Sequence, residues 1–203
     1  MGRGTLPIGR NIARIIDMRK RMAKNTDVID TELLIGVQEQ LRYGFIMAAG
    51  CILEQSLYIV ASGALSNSRR DGGVAAFVKH SMYKNVFRFI DFKTGNESKA
   101  MSPLYTACGI AERIKARKGS EQGTAFAERE IAFVQLMRMR NEMAHEYALK
   151  IMSEVSFDDL VGKYHRARGY MADLTRILRA ERRVLAYRTA RQDFTVEEPE
   201  AER

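Results

Sequence analysis

The chain has no tryptophan, only three prolines and only two cysteines in 203 residues, and each scarcity excludes something. With no tryptophan, and no aromatic side chains interleaved in its basic runs, it lacks the stacking platform that holds single-stranded bases. So few prolines, with few runs rich in Val, Ile and Thr, argue against a sheet. Cys51 and Cys108 show neither CxxC nor Cys/His spacing and lie in apolar helical segments. They read as buried free thiols in a reducing compartment, with no disulfide and no metal. A Walker loop, a GxGxxG turn and a Ser, Cys or Asp/Glu triad arrangement are also missing, and no cofactor is expected. The longest apolar run, Tyr43 to Leu53, is short of a bilayer span and is closed by Glu54-Gln55. Residues 1–24 lack the apolar centre of a signal peptide, and Leu6 stands where myristoylation needs Ser or Thr. A cytoplasmic protein with no membrane partner is expected.

What is present points to helices. Eleven methionines, with many Ala, Leu, Arg and Glu, favour them. The length suits one domain with a real core, and 46% hydrophobic with 29% charged residues is ordinary for a folded chain. The net charge of +8 is uneven. Residues 1–24 are basic (Arg3, Arg10, Arg14, Arg19, Lys20, Arg21, Lys24), and residues 163–191 are basic from Lys163 to Arg191. The end, with Glu197, Glu198, Glu200 and Glu202 around Pro199, reads as a disordered acidic tail over 193–203. Basic helices can track a phosphate backbone, but they can equally be solvated faces, so charge permits nucleic acid without demonstrating it.

Apolar periodicity predicts an all-α bundle of about five to six helices and no sheet, as a single domain over 1–192. A first amphipathic helix covers 8–24 and a long one runs from about Asp30 to Leu65. The stripe of the long helix is Leu34, Val37, Leu41, Phe45, Ala48, Ile52 and Ile59, with Gly44 and Gly50 permitting close approach of a neighbour. After a break at Asn67–Gly73, a shorter helix is expected from about Val74 to Phe87, then a loop over 91–102. Pro103 suits the first turn of a weaker helix over 103–117. Thr124 is a candidate cap for a helix over 125–145, and Ser156 for the last long helix. The stripe of that last helix is Phe157, Leu160, Tyr164, Ala167, Met171, Leu174, Leu178 and Leu185.

The most informative residues close the 125–145 helix: Arg138-Met139-Arg140-Asn141-Glu142-Met143-Ala144-His145-Glu146-Tyr147. Arginine can neutralise a phosphate bidentately, and histidine can move a proton near pH 7. One Arg-x(4–6)-His spacing is expected roughly once by chance in a chain this basic, so the neighbours must carry the weight. Phe126, Phe133, Met137 and Ala144 share a narrow stripe. Arg140 and His145 flank it about 140° apart on an ideal helix, with Asn141 between them. Either the helix ends before His145, or two copies meet across a twofold axis and build one site. His80 and His165, the remaining histidines, have no partner at useful spacing.

The run Arg140-Asn141-Glu142-Met143-Ala144-His145 resembles the Arg-x(4–6)-His motif of the HEPN superfamily, small all-helical domains of higher eukaryotes and prokaryotes. Many members carry Asn after the Arg and a small residue before the His, and both are present. The resemblance spans about 31–186. It implies a metal-independent ribonuclease of toxin–antitoxin or phage-defence systems, acting on RNA as a homodimer joined near the motif helix. His145 would be the acid/base, Arg140 would stabilise the phosphate, and Asn141 would orient the histidine or contact the backbone. Glu54 matches an acidic position often found facing the motif. Arg138 also fits the spacing but is followed by Met139, so Arg140 is preferred. Tyr147 extends the pattern to Arg-x4-His-x-Tyr. In one branch of the family a minimal nucleotidyltransferase antitoxin adenylylates that tyrosine. The alternative is a non-catalytic HEPN module that binds nucleotide, RNA or a protein partner; intact Arg140, Asn141 and His145 favour the enzyme.

Overall fold

Apolar side chains recurring every three to four residues become helices throughout the computed structural model, which describes residues 7–24, 31–65, 80, 86–144 and 155–193. Side chains at 7–9, 31, 64–65, 86–87 and 181–193 are outside that description. The elements are α1 (Pro7–Lys24), α2 (Thr31–Leu65), α3 (Ser102–Cys108), α4 (Ala111–Lys118), α5 (Gly123–Met143) and α6 (Phe157–Asp193). Two 3₁₀ turns, Val86–Phe89 and Glu97–Lys99, precede α3, and the described residues contain no strand. The fold is all-α, as the sequence predicts. The break at Asn67–Gly73, nearly all of the helix expected from Val74, and the acidic residues after Asp193 lie outside the described residues.

Helices α2, α5 and α6 pack on one another, and α1 lies along α2. Phe45 of α2 meets Phe157 at 5.3 Å and Tyr164 at 5.8 Å, edge to face, which joins α2 to the start of α6. Tyr170 of α6 sits against Phe126 and Phe133 of α5, with centroids 5.7 and 5.1 Å apart. Helices α5 and α6 run antiparallel. Gln135 meets Lys163 near the end of α5, while Arg129 meets Asp173 farther back.

The last helix follows its expected pattern closely. Phe157, Leu160, Tyr164, Ala167, Met171, Leu174 and Leu178 are all buried. Ser156 caps it: its Oγ accepts from the Asp159 N–H at 3.1 Å and donates to the Asp159 carboxylate at 2.6 Å.

Other expectations need correction. In α2 the buried residues are Leu41, Phe45, Ile46, Ala49, Leu53, Leu57 and Ala61, whereas Ile59 is 57% exposed. Steps of four drift round a straight helix, and the buried face follows that ridge because neighbours cross α2 at an angle. The helix expected over 103–117 is two helices. Gly109 adopts φ 71°, a left-handed conformation that ends α3 and that glycine adopts without penalty. Helix α5 begins at Gly123, with Gln122 rather than Thr124 in the cap position and no side-chain cap bond. Ala144, expected on the buried stripe, is exposed where α5 stops. Cys51 and Cys108 are unbridged but half-buried rather than buried.

Within the α2 segment Glu32–Gly63 a window of 18 residues reaches a mean hydropathy of 1.6, so by length and composition the helix is apolar enough to cross a membrane. The longest uninterrupted run misses this, because the average tolerates isolated polar residues. A core helix passes the same test, and α2 buries Phe45, Leu53 and Leu57 completely or nearly so.

Candidate functional site

Of the two glycines expected to permit close approach to α2, Gly50 does so and builds the site, whereas a methyl at Gly44 would make only an ordinary contact. A methyl group at Gly50 would stand 2.5 Å from Arg140 Cγ and 2.7 Å from Arg140 Cβ. The arginine stem therefore lies directly on the α2 backbone, in space no other residue leaves open. Gly44 meets α1 instead, with Ile15 Cδ1 at 3.6 Å from such a methyl.

From that seat the Arg140 guanidinium reaches one turn along α2 and pairs with Glu54, Nη2 to Oε2 at 3.1 Å. The side chains are 21% and 29% exposed, so the pair is mostly covered yet still open at one edge. Asn141 is half-buried beside it. Helix α5 ends at Met143, with Ala144 in the cap position and its N–H donating to the Arg140 carbonyl. His145 and Tyr147 themselves lie outside the described residues. His80 and His165 are both exposed.

Arg138 takes a different direction. Two residues before Arg140, it points nearly opposite on the helix and donates to Glu97 at 3.2 Å. Gln135 donates to the same carboxylate at 2.9 Å, and Lys163 donates to Gln135. With Met139, Glu142 and Val155 these groups line an open groove of about 290 Å³. Glu97 opens the 3₁₀ turn Glu97–Lys99, which is held by Asn96, whose side chain accepts from the Ser98 N–H at 3.1 Å.

Farther back on α5 lies a polar cluster the sequence reading missed. Glu130 is fully buried. Tyr105 donates to Glu130 Oε1 at 2.6 Å, and the Tyr105 and Tyr170 hydroxyls are 2.7 Å apart. Since Tyr105 gives its proton to Glu130, Tyr170 must donate to Tyr105. Lys118 closes the cluster by pairing with Glu130 Oε2 and donating to the Ser98 carbonyl at 2.7 Å. Burial pushes the Glu130 carboxyl above its ordinary range, although Lys118 and Tyr105 pull it back. Burial also lifts both tyrosines well above theirs, with the other tyrosine hydroxyl and then Glu130 adding to it at Tyr105, and Glu130 at Tyr170. A signal did exist: Glu130 falls at helical spacing between Phe126 and Phe133, on a stripe otherwise apolar.

Comparisons with protein-family models, with curated proteins and with solved structures return no match to this chain.

Proposed function

We propose that this chain is a metal-independent endoribonuclease of the HEPN type that cuts single-stranded RNA. The observation that carries the reading is the Arg140–Glu54 pair. An arginine whose stem is seated on a glycine and whose guanidinium is braced by a carboxylate at 3.1 Å is held in one direction, yet stays partly exposed in the last turn of α5. His145 enters from the sequence, two residues past that terminus.

In the reaction the 2′-hydroxyl oxygen attacks the adjacent phosphorus while His145 removes its proton. The bond to the 5′-oxygen breaks, and that oxygen takes a proton from a second histidine, supplied by the partner copy of a homodimer. The products are a 2′,3′-cyclic phosphate and a 5′-hydroxyl. Arg140 neutralises charge that builds on the phosphoryl oxygens, and proton transfer by a placed histidine contributes about 10² to 10⁴ in rate. A role as the toxin of a toxin–antitoxin or phage-defence pair, silenced by adenylylation of Tyr147 or by a bound antitoxin, belongs to the same proposal.

Purified protein should cut RNA in EDTA, leave cyclic phosphate ends and spare DNA, which lacks the 2′-hydroxyl. His145→Ala and Arg140→Ala should each abolish cutting with the fold intact, and Arg138→Ala should be milder. Equal cutting by His145→Ala would sink the mechanism.

A second reading has its own support, since a carboxylate-bound arginine is also how a bundle ties two helices together. On that reading the chain is a non-catalytic HEPN module that binds nucleotide, RNA or a protein partner. RNA bound in the same assay but never cut would favour it.

A further inference from the structure

A second concave site lies at the other end of the bundle, between α4 and α6. It is a cavity of about 400 Å³ lined by Arg113 and Arg117 of α4 and by Asp173, Arg176, Ile177 and Ala180 of α6. That volume falls within the roughly 300–1,000 Å³ of small-molecule pockets. Arg113 and Arg117 are four residues apart, so both side chains leave the same face of α4.

The charges are arranged rather than merely crowded. Asp173 is only 4% exposed and takes Arg129 on Oδ2 at 2.7 Å and Arg176 on Oδ1 at 3.3 Å. A nearly buried carboxylate thus orients Arg176 from behind, and Arg129 keeps that carboxylate paired whatever Arg176 does. Arg117 is steadied by Gln122, which accepts from its Nη2. Three of the six side chains that line the cavity are guanidinium groups and one is a carboxylate. Ile177 and Ala180 supply an apolar wall beside them.

We propose that this cavity binds a phosphate monoester carried on a flat, apolar-faced body. The dianion, about two negative charges near pH 7, would sit on Arg113, Arg117 and Arg176. The body would lie on Ile177 and Ala180. A nucleoside monophosphate and the 5′-phosphorylated end of an RNA strand share that chemistry. The site is distinct from the Arg140–Glu54 pair. Arg129 and Arg140 are eleven residues apart on one helix, which places the two sites about 16 Å apart along its axis.

Calorimetry at low salt, on the full chain, tests the proposal with AMP, adenosine, inorganic phosphate, and one short RNA with either a 5′-phosphate or a 5′-hydroxyl. AMP, the phosphorylated RNA, or both should bind at least about tenfold tighter than the same molecule without phosphate, and AMP tighter than phosphate alone, since each charge-assisted bond is worth about a factor of ten. Arg117→Ala, Arg176→Ala and Ala180→Glu should each remove about a factor of ten, whereas Lys115→Ala, exposed on α4 and not lining the cavity, should not. Gain with AMP alone assigns the site to the free nucleotide, and gain with phosphorylated RNA assigns it to a strand end. Ala180 is exposed, so its variant keeps the fold if either arginine variant does not. If the 5′-phosphate improves neither ligand, or if binding survives all three substitutions, the proposal is overturned. The AMP and adenosine arms do not depend on whether the protein cuts RNA, since neither has a phosphodiester to cut, and the RNA arm is run on His145→Ala.

Discussion

Helix α5 carries a paired charge in each half, and the two pairs live under different physics. Glu130, in the first half, has no exposure at all and is enclosed by Tyr105, Tyr170 and Lys118. Arg140, ten residues on, faces Glu54 with both side chains between a fifth and a third exposed. Burial makes the first pair costly to desolvate and ruinous to break, so it specifies how α3, α4, α5 and α6 meet. Partial exposure makes the second less important to stability but reachable by an incoming phosphate. Access, more than charge, separates the two pairs.

The largest effect is expected where that contrast is sharpest. Glu130→Ala strips Tyr105 of its acceptor and takes the counter-charge from the partly buried Lys118. A loss of about 3–5 kcal/mol should follow, read from the urea midpoint, which is a large share of the roughly 5–15 kcal/mol of a typical domain. A cost below that of an ordinary surface substitution would mean that the cluster is passive.

Gly50→Ala probes the other half. The new methyl meets the base of the Arg140 side chain, not its mobile end, so α5 must shift or Arg140 must turn. Overpacking costs about 1–3 kcal/mol, offset in part by the better helix propensity of alanine, about 1 kcal/mol. Any RNA cleavage should fall much more than stability does. Unchanged activity would show that the seat of Arg140 is irrelevant to function.

The smallest effect is a pH trend. The Glu130 carboxyl is raised by burial, so the unfolded chain gives up this proton at lower pH than the folded one. Its contribution is fully present below the unfolded value, near 4.3, and is lost as pH rises through the higher folded value. Glu130→Gln does not titrate. The melting temperature of wild type relative to Glu130→Gln should therefore fall as pH is raised from about 4 towards neutrality. A gap that widens with pH would contradict the burial of Glu130.

Repetition made most of the fold legible. The α6 stripe from Phe157 to Leu178 is buried at every expected position, because that part of the helix packs along α2 and α5. The α2 stripe was less legible, and Ile59 ended on the outside, because crossing helices cover a drifting ridge rather than a fixed face. In the candidate site, Arg140 and Asn141 were nameable from residue type and position on the helix, and Glu54 only through the resemblance to the HEPN motif. Glu130, Asp173 and Glu97 were not, because an acidic residue in a helix looks the same whether solvent or a buried partner awaits it.

By itself, then, the sequence determined the helices and their apolar faces, since periodicity and propensity act within a few residues along the chain. It also determined the local cap at Ser156, where donor and acceptor are three residues apart. Only the tertiary structure decided that Arg140 would meet Glu54 across Gly50, that Arg138 would turn away to Glu97, and that Arg113, Arg117 and Arg176 would surround one cavity. Apart from Arg113 and Arg117, which share one face of α4, those partners are separated by tens of residues in sequence. Only the packing of α2, α4 and α6 around α5 sets which of them come within hydrogen-bonding distance.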